Sequence, residues 1–551
     1  MLFCLGRTMN FHSSLYFSRD WSKVLLLLLA VAAVYLPFLE NPLVFDDFAL
    51  FGGGTVSHYA DAPFNFEFRW LPYTTLGVTW VFFGENPPVF RVQNLILHGM
   101  NVLLLLLVLR LWISLFITNV SKERAANWGA WLGAMVFACH PLTVYGVGYL
   151  VQRSILMATL FTLVMHLAYF RGLIDGDKRY AALAVAAYFL AVFSKEHSLL
   201  VPAILLPMTW VLREKIRLPV RTLLATWIGF AVIAAIVVMR AKGILGQVYE
   251  KDAAELLSQE GLFKEMPMAH LLSVLTQAGL FFKYCLLMLV PNPAWMSIDM
   301  RETFIMEWKD WKSWIGIVAY LAYGLGAMLC ILRGGRTALF GIALFYPWSL
   351  FPVEFASVRV QEIFVLYRAY LWLPGFMLLI PLLCSGLSER KIMLAGVLSV
   401  VLLIPMAWNR LWVFADVYRA WDDAVQLLHG EDRLGSHRIY FNRARASAAK
   451  KNWDAAIADY KKSLAINSHY TEVNINLGGV LINAQRFEEA IVEFDKVISA
   501  EPKNANAYYG KGFALKRLHD DEGAMQQIRK SCDLGLNQAC LIAAIVPKMK
   551  H

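Results

Sequence analysis

The 551-residue chain is 58% hydrophobic, with a mean hydropathy of +0.51. Soluble domains run at about 45–50% apolar residues, so composition excludes an ordinary soluble enzyme and points to a polytopic membrane protein. The net charge of +10 fits Lys and Arg gathered in cytoplasmic loops, and no basic tract with interleaved aromatics stands in a soluble stretch, which argues against nucleic acid as a partner.

The apolar excess runs from about Trp21 to Trp408 and then stops. A membrane domain over residues 1–408 is therefore expected, then a linker helix over 409–432 and a soluble domain over 433–551. Arg7, Arg19 and Lys23 precede the apolar run Val24–Leu39. With no small-residue cleavage site before Asp46, an uncleaved first span with its N-terminus inside is the better reading than a signal peptide. Asp46 and Asp47 then emerge on the outer face, at the start of a long outer loop (residues 40–92) rich in Gly, Pro and aromatics.

Further spans are expected at Asn94–Ile117, Trp128–Val147, Ile155–Phe170, Tyr180–Phe193, Leu199–Leu212 and Thr222–Met239. Over the first six spans the inner loops hold most of the Lys and Arg, while the outer turns hold Asp46/Asp47, His140/Arg153 and Lys195/Glu196. Residues 240–269 read as an interfacial amphipathic helix. Apolar segments at Leu271–Leu289, Trp314–Leu332, Leu339–Phe351, Tyr370–Cys384 and Ile392–Trp408 complete a set of twelve. Twelve crossings would return the C-terminus inside, whereas Arg333/Arg336 and Arg390/Lys391 mark it outside. An odd number of crossings and an outer C-terminal domain are favoured, either because one segment, expected within 222–290, is re-entrant or interfacial, or because residues 240–269 hide a further crossing.

After the linker, Ala456, Ala490 and Ala524 recur at 34 residues, as do Ala444, Gly478 and Gly512, and Tyr460, Phe494 and Ile528. Small residues at helix crossings with an aromatic further on, at this period, are the tetratricopeptide signature, here of about three units. The expected fold class is all-α: a polytopic helical membrane domain followed by a soluble α-solenoid. Cys532 and Cys540 could form a disulfide in an oxidising compartment or remain core thiols in a reducing one.

Two adjacent carboxylates at a membrane edge are costly unless they have a partner or a task. Asp46 and Asp47 could be loop acids or helix N-caps. They could also supply a general base, or hold a divalent ion such as Mg or Mn against a phosphate. His140, Arg153 and Lys195 could snorkel to headgroups. Yet positive charge is disfavoured on the outer side, and cations facing an acid pair suit a lipid-linked phosphate, Arg in bidentate contact and Lys as a point charge. Glu196 could pair with Lys195, and Arg368 could be an interfacial anchor or a phosphate ligand; Asp299 and Glu362 lie on later outer segments. There is no P-loop, dinucleotide fingerprint or serine-nucleophile elbow.

Taken in order, Phe45-Asp46-Asp47, the segment Phe90-Arg91-Val92-Gln93-Asn94-Leu95-Ile96-Leu97-His98-Gly99-Met100-Asn101, Ala138-Cys139-His140-Pro141, Gln152-Arg153-Ser154, Ser194-Lys195-Glu196, the stretch Gln277 to Asp299, Tyr367-Arg368-Ala369-Tyr370-Leu371 and the terminal repeats form a pattern. It resembles the transmembrane-and-tetratricopeptide-repeat protein O-mannosyltransferases and their bacterial relatives, of the GT-C glycosyltransferase superfamily. The resemblance covers almost the whole chain, with a short repeat array. It implies an inverting glycosyltransferase using a polyprenyl-phosphate-linked sugar on the outer face, in a bacterial inner membrane with the repeats on the periplasmic side. Asp46 or Asp47 would be the base, the other orienting it or holding a metal. His140, Arg153, Lys195 and Arg368 would hold the leaving phosphate, with Glu196 and Asp299 in support, and the repeats would dock an acceptor protein. Two other readings fit the same architecture: a transferase or polymerase acting on a lipid or surface polysaccharide, and a non-catalytic scaffold recruiting envelope proteins.

Overall fold

The computed structural model describes residues 21–117, 120–248, 266–360 and 362–545. Arg7 and Arg19 lie outside these, as does most of the interfacial helix expected over 240–269. Every regular element among the described residues is helical. The chain divides into two compact units, Met1–Ile298 with Phe304–Asp416, and Asp299–Thr303 with Val417–His551.

In the first unit, nine helices among the described residues are long and apolar enough to cross a membrane. A tenth would be the bent pair Ala125–Cys139 and Pro141–Val147. This is a multi-pass membrane protein. The 49° bend falls at Pro141, which has no N–H to continue the helix. A re-entrant or interfacial segment was expected within 222–290, or else a crossing hidden in 240–269, most of which lies outside the described residues. Val220–Arg240 and Met268–Leu289 are both long, whereas the shorter apolar stretch is Glu196–Val211. Its α-helical part, Pro202–Val211, has 10 residues. At 1.5 Å per residue that is about 15 Å, half of a hydrocarbon core of about 30 Å. Lys178–Ser194, at 17 residues, also falls short of the nine.

The helices sort into a centre and a rim. Leu150–Asp175 is mostly buried along its most apolar stretch, whereas the strongly apolar Val220–Arg240 is mostly exposed. A strongly apolar helix with its side chains outward is stable only where the surroundings are hydrocarbon. Several polar groups in the centre are paired: the Tyr370 hydroxyl lies 2.7 Å from His98 Nδ1 and 3.1 Å from Asn101 Nδ2, and Tyr35 pairs with Thr143 at 2.9 Å. Small residues let the helices close up. A Cβ on Gly341 would stand 2.6 Å from the Ala327 carbonyl oxygen, so Ile315–Leu332 and Gly335–Leu350 meet backbone to backbone there.

In the second unit, helices His437–Ala449, Trp453–Ile466, Thr471–Asn483, Phe487–Ala500, Ala505–Arg517, Asp521–Asp533 and Asn537–Ile545 follow one another through short turns. The 34-residue period has a steric cause. Ala456, Ala490 and Ala524 are buried at helix crossings, and Phe494 fills the space left by Gly478, whose added Cβ would stand 2.6 Å from the ring. Gly512 yields to Ile528 in the same way. Cys532 and Cys540 form a disulfide between the last two helices. Gly478→Leu is expected to destabilise the repeats by about 1–3 kcal/mol, the usual cost of overpacking. Limited proteolysis of the full chain should show faster cleavage near residues 471–500 with the membrane unit intact.

Candidate functional site

Asp46 and Asp47 open the helix Asp46–Gly52, where the positive end of the helix dipole favours acids. Phe45 precedes them at φ 51°, in the left-handed region. The two side chains diverge. Asp47 is fully buried, its Oδ1 accepting from the Val151 N–H at 2.9 Å and its Oδ2 from the N–H groups of Leu150 and Val44, each at 3.4 Å. Burial pushes its carboxyl up to about 7, opposed by those N–H donors and by the charge of Arg91. Arg91 is itself held by the carbonyls of Leu39 (3.1 Å) and Pro42 (2.7 Å). Asp47 therefore ties residues 44–47 to the turn at 149–151. Asp46 faces the other way and lines a cavity of about 450 Å³. Its N–H donates to the Tyr149 hydroxyl at 2.8 Å.

The rest of the cavity is built at helix ends. Lys195 follows the helix Lys178–Ser194 and is 1% exposed. Its ammonium lies 3.5 Å from Gln152 Oε1 and 4.9 Å from the centre of the Tyr367 ring. Among the described residues no carboxylate comes within ion-pair distance of it. Glu196, expected as its partner, is instead gripped by both arms of Arg69, Nε to Oε2 at 3.0 Å and Nη2 to Oε1. Burial lowers the Lys195 ammonium to about 7, with the charges of Arg69 and Arg368 adding to the effect and Glu196 and Glu362 opposing it.

Also lining the cavity, Arg368 donates to Glu354 at 2.6 Å and to Glu362 at 3.4 Å. Glu354, fully buried, also takes His197 at 2.9 Å and Arg359 at 3.6 Å. One carboxylate thus anchors three basic side chains beside the cavity. Arg69, Glu354, Arg359 and Tyr149 were missed in the sequence. Glu354 did carry a signal, as an acid inside the apolar stretch Phe351-Pro352-Val353-Glu354-Phe355.

Three expected site residues lie elsewhere. Arg153 turns away from the cavity that its neighbours Gln152 and Ser154 line. Its guanidinium donates to Asn94 Oδ1 (3.0 Å), the Phe90 carbonyl (3.2 Å) and Thr75 Oγ1 (3.3 Å), contacts that tie the start of its helix to its neighbours. His140 caps the bend, its Nδ1 accepting from the Leu142 N–H at 3.2 Å and its Nε2 lying 3.2 Å from the Met288 carbonyl oxygen. Asp299 belongs to the second unit and pairs with Arg301 (2.8 Å) and Arg438 (3.6 Å). The expected metal clamp does not fit either. Both Asp47 oxygens are taken by N–H donors, and among the described residues no group of three or more His, Cys, Asp or Glu side chains converges.

Residues 447–512 match the tetratricopeptide repeat family. No curated protein sequence matches the chain. Among solved structures it is similar to the MamA RS-1 ArsTM double mutant and to MamA 41-end from Desulfovibrio magneticus RS-1. Each is 20% identical, with 21% of this chain and 64% of that chain covered and a TM-score of 0.20. It is also similar to the archaeal oligosaccharyltransferase AglB from Archaeoglobus fulgidus, solved in complex with an inhibitory peptide and a dolichol-phosphate. There the identity is 15%, 77% of this chain and 60% of that chain are covered, and the TM-score is 0.39. The chain thus spans 60–64% of the length of the solved structures it matches.

Proposed function

We propose that this chain is a membrane glycosyltransferase that moves a sugar from a polyprenyl-phosphate donor to a hydroxyl of a protein acceptor at the outer face of a bacterial inner membrane. The observation that carries the reading is Lys195: a buried ammonium with no carboxylate within ion-pair distance among the described residues, lining a polar cavity that Asp46 also lines. A buried charge left without a counterion is costly, and an anionic substrate group would relieve that cost. Pocket volumes of about 300–1,000 Å³ suit small ligands, and this cavity can take a sugar and its phosphate.

In this mechanism the Asp46 carboxylate accepts the proton of the acceptor hydroxyl. The hydroxyl oxygen forms a bond to the anomeric carbon as the bond from that carbon to the phosphate oxygen breaks, and the electron pair leaves with the polyprenyl phosphate. A single displacement inverts the anomeric configuration. Lys195 takes up the charge gathering on the leaving phosphate, and Arg368, held in place by Glu354 and Glu362, adds to that field. Arg69 holds Glu196 in its own ion pair, so that carboxylate makes none with Lys195. The repeats would dock the acceptor protein, and the Cys532–Cys540 disulfide supports a place for them in an oxidising compartment.

The test is transfer of radiolabelled sugar from polyprenyl-phosphate donors by the purified protein in nanodiscs, paired with glycoproteomics of a deletion strain. Loss of a glycan from defined Ser or Thr sites is the expected result. Transfer only to a lipid or glycan acceptor would move the reading to polysaccharide assembly. Full function in vivo without Asp46 and Lys195 would leave a scaffold.

A further inference from the structure

We propose that Gln152 is a second phosphate-binding residue beside Lys195, its side-chain amide donating to a non-bridging oxygen of the donor phosphate while the ammonium supplies the charge. This contact presupposes the lipid-phosphate donor argued above and adds a neutral donor to its binding. Gln152 closes the short 3₁₀ turn Leu150–Gln152. The N–H groups of Leu150 and Val151 in that turn hold Asp47, and the N–H of Gln152 donates to the Tyr149 carbonyl at 3.1 Å. The backbone of Gln152 is thus fixed by the same buried carboxylate that anchors the acid pair. Its side chain is 3% exposed and lines the polar cavity.

Lys195 decides which way the amide turns. An ammonium offers only donors, so the group 3.5 Å from its nitrogen is the carbonyl oxygen Oε1. The NH₂ group is then left for another acceptor. Among the described residues it has no hydrogen-bond partner, and it is not one of the side-chain atoms sealed inside the protein. Neutral N–H donors therefore open on the cavity next to a buried cation. The other donors nearby are engaged: Arg69 holds Glu196, and Arg368 holds Glu354 and Glu362. A further unpaired cation would add its own desolvation cost, whereas an amide gives a hydrogen bond to a charged acceptor without one. Arg153, the next residue, sends its guanidinium to Asn94, Thr75 and the Phe90 carbonyl, so of this adjacent pair the neutral side chain is the one at the cavity. A phosphodiester has two non-bridging oxygens, one for the ammonium and one for the amide.

The experiment uses the full-length protein in nanodiscs with the two diastereomers of a sugar polyprenyl phosphorothioate, in which sulfur, a weak hydrogen-bond acceptor, replaces one or the other non-bridging oxygen. Wild-type protein should use one diastereomer with a KM about tenfold or more below that of the other. Gln152→Leu should raise the KM for the all-oxygen donor about 10- to 150-fold, the loss of one hydrogen bond to a charged acceptor. It should also lose most of the preference between diastereomers, a readout that a change in packing alone would not move. Gln152→Glu keeps the shape where leucine does not, and brings a carboxylate to Lys195. It should raise the donor KM as well and, by keeping the ammonium protonated, remove the rise in KM between pH 7 and 8. A wild-type KM in Gln152→Leu, or a raised KM with the diastereomer preference intact, would overturn the proposal. Binding of polyprenyl phosphate that Gln152→Leu weakens to the same extent, without any sugar transfer by the wild-type protein, would uphold the contact and remove the glycosyltransferase reading. Transfer that depends on Asp46 and is indifferent to Gln152→Leu would do the reverse.

Discussion

Asp46→Asn is expected to lower sugar transfer by about 10²–10⁴-fold, the range a positioned general base contributes, with a smaller change in thermal unfolding than Asp47→Asn gives. Asp47→Asn is expected to do the opposite. Successive residues of a helix point about 100° apart, and here one carboxylate lines the cavity while its neighbour is sealed inside. Asp47 serves three backbone N–H donors. An Asn amide presents one oxygen and one NH₂ in that place, so at least one N–H loses its acceptor. A buried donor left unsatisfied costs about 1–3 kcal/mol, which should be read as a lower unfolding temperature in detergent and a smaller folded fraction, with kcat per folded molecule near wild type. Wild-type turnover in Asp46→Asn would remove Asp46 as the base. An inactive Asp47→Asn protein with unchanged stability would return the role to Asp47.

The sequence shows that an acid pair sits at the end of the first span; it does not show which acid faces the substrate. That choice is made by the left-handed turn at Phe45 and by the N–H groups of residues 150 and 151, about a hundred positions away. Arg153 and Arg368 look alike as cations at span ends. Only the fold shows that Asn94, Thr75 and the Phe90 carbonyl close over the first, while the second remains on the cavity wall. Glu196 follows Lys195 in the chain, but its carboxylate goes to Arg69 from the long loop, a residue chosen by tertiary packing. The repeats were legible for the converse reason. Their contacts are between neighbouring hairpins, so the spacing of Gly478 and Phe494 in sequence is already the spacing of the contact. The long apolar helices were legible because hydrocarbon demands length and composition alone. The shortness of the α-helix after Lys195 was not legible, because its apolar content matches a span whereas the α-helix covers only Pro202–Val211, with Pro207 inside it.

Raising the pH from 7 to 8 is expected to raise the KM for the donor about fivefold and to leave the acceptor KM unchanged, from the titration of one group with a pKa of about 7 that must be protonated to bind. The group is Lys195, lowered from 10.5 to about 7 by burial and by the nearby charges of Arg69 and Arg368. The sign follows from its depressed pKa. Lys195's contribution to stability is present above the unfolded value near 10.5 and is lost as pH falls through about 7, because the protonated form is buried with no carboxylate at ion-pair distance among the described residues. Donor phosphate supplies that counterion. Binding therefore takes up a proton near neutral pH, weakens as pH rises, and stabilises the protein more at pH 6 than at pH 8. The phosphodiester of a sugar-linked donor keeps a single charge over this range, so the titration belongs to the protein. Lys195→Met should raise the donor KM by about 10- to 200-fold, the equivalent of a lost charged hydrogen bond of about 1.5–3 kcal/mol. It should also abolish the pH dependence while keeping the fold, since a Met of similar length fits the buried channel without a charge. A flat profile in the wild-type protein, or an unchanged slope in Lys195→Met, would show that the phosphate is held elsewhere.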